Sequence, residues 1–417
     1  MRGRRAPAVV VGAGLSGLTC ALDLQRRGID VRIVEASDDV GGRVRSDRVE
    51  GFTLDRGFQV LLTAYPEVRR NLDLDALELG RFEPGALVRR GGRFVRVFDP
   101  LRRPREAFPT LRSGVANAGD VLRLGRMAWE TRGATGHART PDGHSALAAL
   151  RERGFSDALV EGFFRPFLGG VFLDPELRPS SASLDFLFRM FATGDAALPA
   201  AGMGAVAAQL AAGLAPGTLR LRAPVSRVER FGVVLDTGER VAASAVVVAT
   251  EADAAAKLLP GLAVPESRRA ISLHFEAPRA PVAGPVLVLD GEASGPVNQL
   301  CVPSAVAPRY APSGRAVVHA CVLEPDDDED EALELAVRRQ LGVWFGADVE
   351  AWRLLRIDRV AGALPSQPPG AFEPRARRCR LVDHLFVCGD HRDLASLQGA
   401  MHSGRRAADE VCRELRA

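Results

Sequence analysis

The run from Val9 to Ala36, VVVGAGLSGLTCALDLQRRGIDVRIVEA, limits what this chain can become more than any other stretch. Ala8 to Val11 is short, apolar and β-branched, which reads as a buried parallel strand. Gly12-Ala13-Gly14-Leu15-Ser16-Gly17 follows at once. A helix is predicted from there through Arg27, with Gly28 closing it. Val31 to Val34 forms a second strand, and Glu35 ends it. This strand–helix–strand context gives a G-x-G-x-x-G run its meaning. Gly12 permits the tight turn, Gly14 lets backbone approach a pyrophosphate, and Gly17 lets helix and strand pack closely. The helix start, which includes Ala13, Leu15 and Ser16, offers unpaired N–H groups and the positive end of its dipole. Glu35, with Ala36 beside it, can accept two hydrogen bonds from a ribose diol, and its charge disfavours a 2′-phosphate. The segment is expected to bind a dinucleotide other than NADP.

Which dinucleotide follows from the residues beyond Glu35. The stretch ASDDVGGRVRSDRVEGFTLDRGFQV resembles the flavin-containing amine oxidase, phytoene desaturase and protoporphyrinogen oxidase superfamily. That family places an acid, a short loop and G-G-R after its second strand, here Glu35, Gly41, Gly42 and Arg43. The resemblance implies FAD, held non-covalently, with Arg43 able to form a bidentate fork on its pyrophosphate. Gly57, Phe58 and Gln59 match the family's segment near the flavin ring. The C-terminal stretch LVDHLFVCGDHRDLASLQGAMHSGRRAADEV makes the second match. Leu385 to Cys388 reads as a strand, and Gly389-Asp390 is its G-D element. Ser396 to Val411 reads as a helix whose N-terminus the family aims at the flavin pyrimidine. The N–H groups of Gln398, Gly399 and Ala400 are then the expected donors to negative charge on the reduced ring. In the meander from Ala223 to Thr250, Val225 takes the position whose backbone lines the adenine pocket in relatives.

The resemblance implies an α/β fold, α+β overall. A Rossmann-like FAD-binding domain is discontinuous in sequence, taking residues 1–62, 200–262 and 355–417. Two insertions, 63–199 and 263–354, form a substrate domain of mixed sheet and helices. The first insertion leans helical. A second glycine run, Gly202-Met-Gly204-Ala-Val-Ala207, is a decoy: Pro199 precedes it, no strand is expected before it, and no acid ends a second strand. A helix is expected from Ala205 to Leu214 and another from Asp328 to Phe345, its acidic start DDDED complementing the dipole. Pro365 to Pro374 reads as a loop. With one nucleotide fingerprint, electrons should come from an organic substrate and leave to oxygen, a quinone or another diffusible acceptor.

The substrate is expected to be apolar. Phe155, Phe163, Phe164, Phe167, Phe172, Phe186, Phe188 and Phe191 crowd the first insertion, mostly as core, with three or four also lining a pocket. RPFLGGVFL, Arg165 to Leu173, resembles the desaturase and protoporphyrinogen oxidase branches. Amine oxidases of the superfamily use a lysine near flavin N5, whereas the single lysine here, Lys257, lies inside the FAD domain. Neither tyrosine, Tyr65 or Tyr310, lies in the C-terminal segment where an amine-flanking aromatic belongs. The expected reaction is dehydrogenation of an apolar substrate by hydride transfer to flavin N5. The alternatives are an amine oxidase and a flavin-dependent isomerase without net redox change. His391 is the one histidine placed near the cofactor, either bonded within its loop or handling a proton. His402 reads as structural, and His274 lies in a strand.

Composition narrows the remaining classes. With 55 basic and 52 acidic residues the net charge is +3, which gives nucleic acid no broad basic surface. Six cysteines contain no C-x-x-C pair, so no metal site and no dithiol motif are expected, and a reducing compartment fits. No run of about 18 apolar residues is present. A cytoplasmic protein results, with peripheral membrane contact as the route to a lipophilic substrate.

Overall fold

The computed structural model describes residues 6–98, 102, 111, 114–132, 143–323, 329–371 and 377–416. The acidic run at 326–328 and the end of the predicted loop, 372–374, lie outside the described residues.

Two sheets organise what positions the site. The first has six strands in the order Leu219–Arg220, Val31–Val34, Ala8–Val11, Ala245–Val248, Leu385–Val387 and Arg380–Val382. All neighbours are parallel except the last pair. Its central strands, Ala8–Val11 and Ala245–Val248, are buried at every position, as all-apolar parallel strands must be. The N-terminal, middle and C-terminal parts of the chain thus interleave in one sheet. The first helix, Leu15–Arg26, and the C-terminal helix, Leu397–Arg416, pack against each other beside it. They approach most closely at Gly404, where a Cβ would sit 2.1 Å from the carbonyl of Ser16.

The second sheet has seven strands: Arg353–Pro365, Ser267–Ala277, Ala316–Leu323, Val297–Cys301, Leu287–Asp290, Gly85–Arg90 and Arg93–Phe98. Both insertions contribute, since Gly85–Arg90 of the first pairs in parallel with Leu287–Asp290 of the second. The strand Arg353–Pro365 also belongs here, paired antiparallel with Ser267–Ala277. Residues 355–365 therefore run with the second sheet, so the expected boundary at 355 falls about ten residues early.

Two local expectations need correction. Ala196–Leu198 is a strand, although none was expected before the second glycine run. It pairs antiparallel with Leu61–Leu62 and Gly80–Arg81, so the run still lacks a parallel strand–helix–strand setting. The helix read as starting at Asp328 is described from Asp330 to Phe345. The first insertion is mainly helical among the described residues, as expected, and also holds the hairpin Gly85–Phe98. All six cysteines are buried and none is in a disulfide.

Candidate cofactor and substrate site

Gly12 has φ +103°, a conformation an L side chain rarely adopts, and its carbonyl lies 2.0 Å from where a Gly17 Cβ would be. Helix and turn meet there with no room for a methyl. Gly14 is different. Its backbone is extended at φ −72°, and a Cβ on it would meet nothing within 4 Å. Gly42, at φ +59°, brings its own Cβ position to 3.5 Å from Gly14 Cα. Gly41 holds that second loop in place by donating its N–H to Ala13 O at 2.9 Å. Two glycine backbones therefore wall an open cleft over the start of the first helix. Such a cradle fits a pyrophosphate on helix N–H groups.

Glu35 stands where a ribose would end. Its Oε2 accepts from the Ala13 N–H at 2.6 Å, and its Oε1 accepts from the N–H and hydroxyl of Ser37 at 2.8 and 2.6 Å. A carboxylate has about four acceptor positions, so one remains beyond these three. Ser37, which the glycine motif does not flag, aims this acid. Ala36 is exposed beside it, and the chain toward Val225 runs alongside through Ala223 N–H on Glu35 O at 2.8 Å. Leu15 and Ser16 are buried in the first turn.

The two ends of the chain meet at Arg43. Its Nη2 lies 2.6 Å from Asp390 Oδ1, and its Nη1 donates to Ala363 O at 2.9 Å. Burial opposes the charge on Arg43, and the Asp390 carboxylate more than offsets this, so its pKa is raised. Asp390 itself is only 4% exposed. Removing the cation would leave a buried carboxylate without its counter-charge. Arg43→Met is expected to destabilise the apoprotein by about 2–3 kcal/mol, discounted for the partial exposure of Arg43. Denaturant unfolding of Arg43→Met, Asp390→Asn and the double variant should give a coupling of about 2 kcal/mol, and additive losses would show that the pair contributes nothing.

Gly57, at φ +90°, lies against Val360, with its Cβ position 3.7 Å from Val360 Cγ2. Phe58 turns its ring to His319 of the second sheet, 5.2 Å between centroids. Gln59 braces the loop by donating to Arg43 O at 2.6 Å and Arg56 O at 2.9 Å.

At the C-terminal helix the donor set differs from expectation. Ser396 caps it: its hydroxyl accepts from Gly399 N–H at 3.1 Å, and its carbonyl accepts from Ala400 N–H at 2.9 Å. Gly399 and Ala400 are thus occupied, which leaves Leu397 and Gln398 as the first-turn N–H groups without a hydrogen bond among the described residues. Gln398 also fixes a neighbour, its Oε1 accepting from Glu67 N–H at 2.8 Å. Gly399 is required sterically, since a Cβ there would lie 1.7 Å from Leu394 O.

A narrow cavity, with about 40 Å³ of free space, opens at this helix start. Leu394, Ala395 and Ser396 form one side, and Tyr65, Val171, Phe172, Phe186, Leu187, Leu364 and Pro365 form a largely apolar wall. Ser183, Arg268, Ser366 and Gln367 complete it. Two of the eight phenylalanines line it, fewer than the three or four expected. The others pack mainly on one another, as in the stacked pair Phe163–Phe167. Tyr65, distant from the C-terminal segment in sequence, reaches this place because the short helix Pro66–Asn71 docks on the C-terminal helix. Lys257 is exposed on the helix Ala252–Leu258 and does not line the cavity.

His391 lines a different cavity of about 300 Å³, with Glu266, Gln367, Arg377, Arg392 and Asp393. It is buried, and neither ring nitrogen has a hydrogen-bond partner among the described residues, so the expected bond within its loop is not found there. Burial pushes its pKa down to about 4. It stands as a neutral imidazole behind Gly389, not as a group facing the apolar wall. His402 is structural, its Nδ1 2.9 Å from Asp393. His274 faces inward, 3.1 Å from Asp358 and stacked near His319. Among the described residues no cluster of side chains could hold a metal ion.

The sequence profile of the flavin containing amine oxidoreductases matches residues 15–412. The chain belongs to this family. It is accordingly a FAD-dependent oxidoreductase, and the glycine cradle, Glu35 and the Arg43–Asp390 pair fit that cofactor. A hydroxysqualene dehydroxylase of Rhodopseudomonas palustris (strain ATCC BAA-98 / CGA009) is 29% identical, over 98% of this chain and 99% of the relative. A second, from Sinorhizobium fredii (strain NBRC 101917 / NGR234), is 26% identical over 96% and 97%. Among solved structures, an oxidoreductase from Methanosarcina mazei superposes with a TM-score of 0.74 at 17% identity, covering 97% of this chain and all of the other. That likeness carries the fold alone.

Proposed function

We propose that this flavoenzyme exchanges a hydride with a carbon of a long-chain isoprenoid, removing a hydroxyl from it reductively. The balance is R–OH plus reduced FAD (FADH2) giving R–H, water and oxidised FAD, which a diffusible two-electron donor then reduces again. The observation that carries the substrate class is the apolar wall of Tyr65, Val171, Phe172, Phe186, Leu187, Leu364 and Pro365 at the start of the C-terminal helix. Two relatives matched end to end and named hydroxysqualene dehydroxylases support the direction. Bound FAD supplies the two-electron hydride chemistry. The chain's part is to exclude water with that wall and to place the reacting carbon, which is where most of the rate must come from. The unpaired N–H groups of Leu397 and Gln398 favour negative charge at the helix start.

One observation favours the opposite direction. The chain shows a single nucleotide fingerprint, at Gly12–Gly17, with no second one to receive a nicotinamide reductant. Dehydrogenation of a hydrocarbon substrate, with electrons passed to oxygen or a quinone, is therefore the second reading. Anaerobic mixing separates them. Photoreduced enzyme that is reoxidised by hydroxysqualene, with squalene formed, supports dehydroxylation. Oxidised enzyme bleached by the hydrocarbon supports dehydrogenation. Bleaching by primary amines with no response to any isoprenoid would overturn both.

Collection of such a substrate points to a membrane surface. No helix among the described residues is long and apolar enough to cross one. The helix Ala118–Arg132 instead exposes Leu122 and Trp129, each 76% accessible, and packs on the helix Ser181–Thr193 that carries Ser183, Phe186 and Leu187 of the cavity. Trp129→Gln is expected to cut co-sedimentation with phospholipid vesicles several-fold while leaving FAD content unchanged, and unchanged co-sedimentation would remove this surface from the account.

A further inference from the structure

Tyr65 is 7% exposed; its hydroxyl makes no hydrogen bond among the described residues and, unlike Ser183 Oγ, is not sealed off from water. Ser183 is 4% exposed, and its Oγ likewise makes no hydrogen bond among them. Both line the apolar cavity. Folded proteins rarely leave a buried hydroxyl unbonded, because its lost hydration is then uncompensated. Ser183 Oγ is such a group, and the Tyr65 hydroxyl is a second polar group without a protein partner in the lining of the same hydrocarbon-walled cavity.

We propose that the hydroxyls of Tyr65 and Ser183 receive an oxygen atom of the substrate and so select oxygen-bearing isoprenoids over hydrocarbons. This rests on the substrate class proposed above and adds the group that reads it. The Tyr65 ring cannot swing the hydroxyl away. It stacks on Phe186, 6.0 Å between centroids at 15°, and its backbone is pinned by Tyr65 N–H on Leu62 O and Arg69 N–H on Tyr65 O, each at 3.1 Å. The other strong donor in the cavity is already committed: Arg268 Nη2 lies 2.9 Å from the buried Asp174 and 3.3 Å from Ser366 Oγ. Burial alone raises the Tyr65 pKa above the ordinary phenol value, so the group stays a protonated donor throughout the working range. A site built to bond a substrate oxygen discriminates against the analogue lacking it, because its own polar groups are then left unpaired.

The test uses the holoenzyme, with farnesol and the hydrocarbon farnesene as probes and the flavin absorption change as readout. Wild type is expected to bind farnesol more tightly than farnesene. Tyr65→Phe should lose about tenfold in farnesol affinity and none in farnesene affinity, and Ser183→Ala should lose less in the same sense. Without ligand, Tyr65→Phe should melt no lower than wild type, since it removes a hydroxyl bonded to no protein group and keeps the stacked ring. Equal loss for both probes, no loss for either, or a lower melting temperature would overturn this inference alone. Failure of wild type to bind either compound would overturn the substrate class and this inference with it.

Discussion

Replacing Gly14 with alanine is expected to leave the apoprotein's melting temperature unchanged and to weaken FAD binding at least about a thousandfold, roughly 4 kcal/mol. The two halves of this result come from one geometric fact. At φ −72° an alanine is unstrained, and a methyl at Gly14 meets nothing within 4 Å of the chain. The space it enters is the cleft between Gly14 and Gly42, directly over the N–H groups of the first helix turn. A pyrophosphate pushed off those donors loses several charge-assisted hydrogen bonds at once. Gly17 is the control with the opposite signature. A methyl there would stand 2.0 Å from the carbonyl of Gly12, so Gly17→Ala should damage the fold before any ligand is added. Melting of the apoproteins and FAD titration by fluorescence quenching read both effects. Normal FAD affinity in Gly14→Ala would place the pyrophosphate elsewhere.

The second large effect is a pH dependence owed to His391. Its pKa is about 4 in the folded chain against the ordinary 6.5, because burial penalises the imidazolium. Above pH 6.5 both folded and unfolded chains hold a neutral ring, and the residue adds no pH dependence. As pH falls below 6.5 the unfolded chain takes up the proton first and folding is weakened. The loss grows until about pH 4, where it reaches roughly 3 kcal/mol, and then levels off. Replacement by glutamine, which cannot titrate, should flatten that part of the stability curve. The comparison is of slopes between pH 6.5 and 4, so a constant penalty for the substitution does not enter it. Parallel curves for wild type and His391→Gln would show that the imidazole is accessible to protons in the folded state.

Legibility in the sequence followed the range of the interactions involved. The first strand, the glycine turn and Glu35 depend on neighbours in the chain, so spacing alone located them. Glycine roles divided cleanly: Gly12 and Gly17 serve the chain's own packing, and Gly14 leaves space. Arg43 and Asp390 were each legible as residues of a family pattern. Their contact, across 347 positions, was not, because it depends on the strand order that brings Leu385–Val387 next to Ala245–Val248. Gly399 and Ala400 were read as donors because the helix start was legible and its cap was not. The signal was present, as serine is a favoured N-cap, and it would have moved the free donors to Leu397 and Gln398. Tyr65 was set aside as lying outside the C-terminal segment, because nothing near it in sequence says that Pro66–Asn71 docks on the C-terminal helix. The hairpin Gly85–Phe98 was missed although its signal is local: Gly91 and Gly92, both at positive φ, make the two-residue turn that pairs Arg90 with Arg93.

The most direct test of the central claim, that both ends of the chain close on one flavin dinucleotide, is a titration of purified apoprotein with FAD. It should be followed by absorbance and run beside Gly14→Ala and Arg43→Met. The account predicts a yellow holoprotein with one FAD per chain and a saturable spectral shift, nearly abolished in Gly14→Ala and weakened in Arg43→Met. A protein that stays colourless after reconstitution, or one that binds FAD equally well in all three forms, would contradict it.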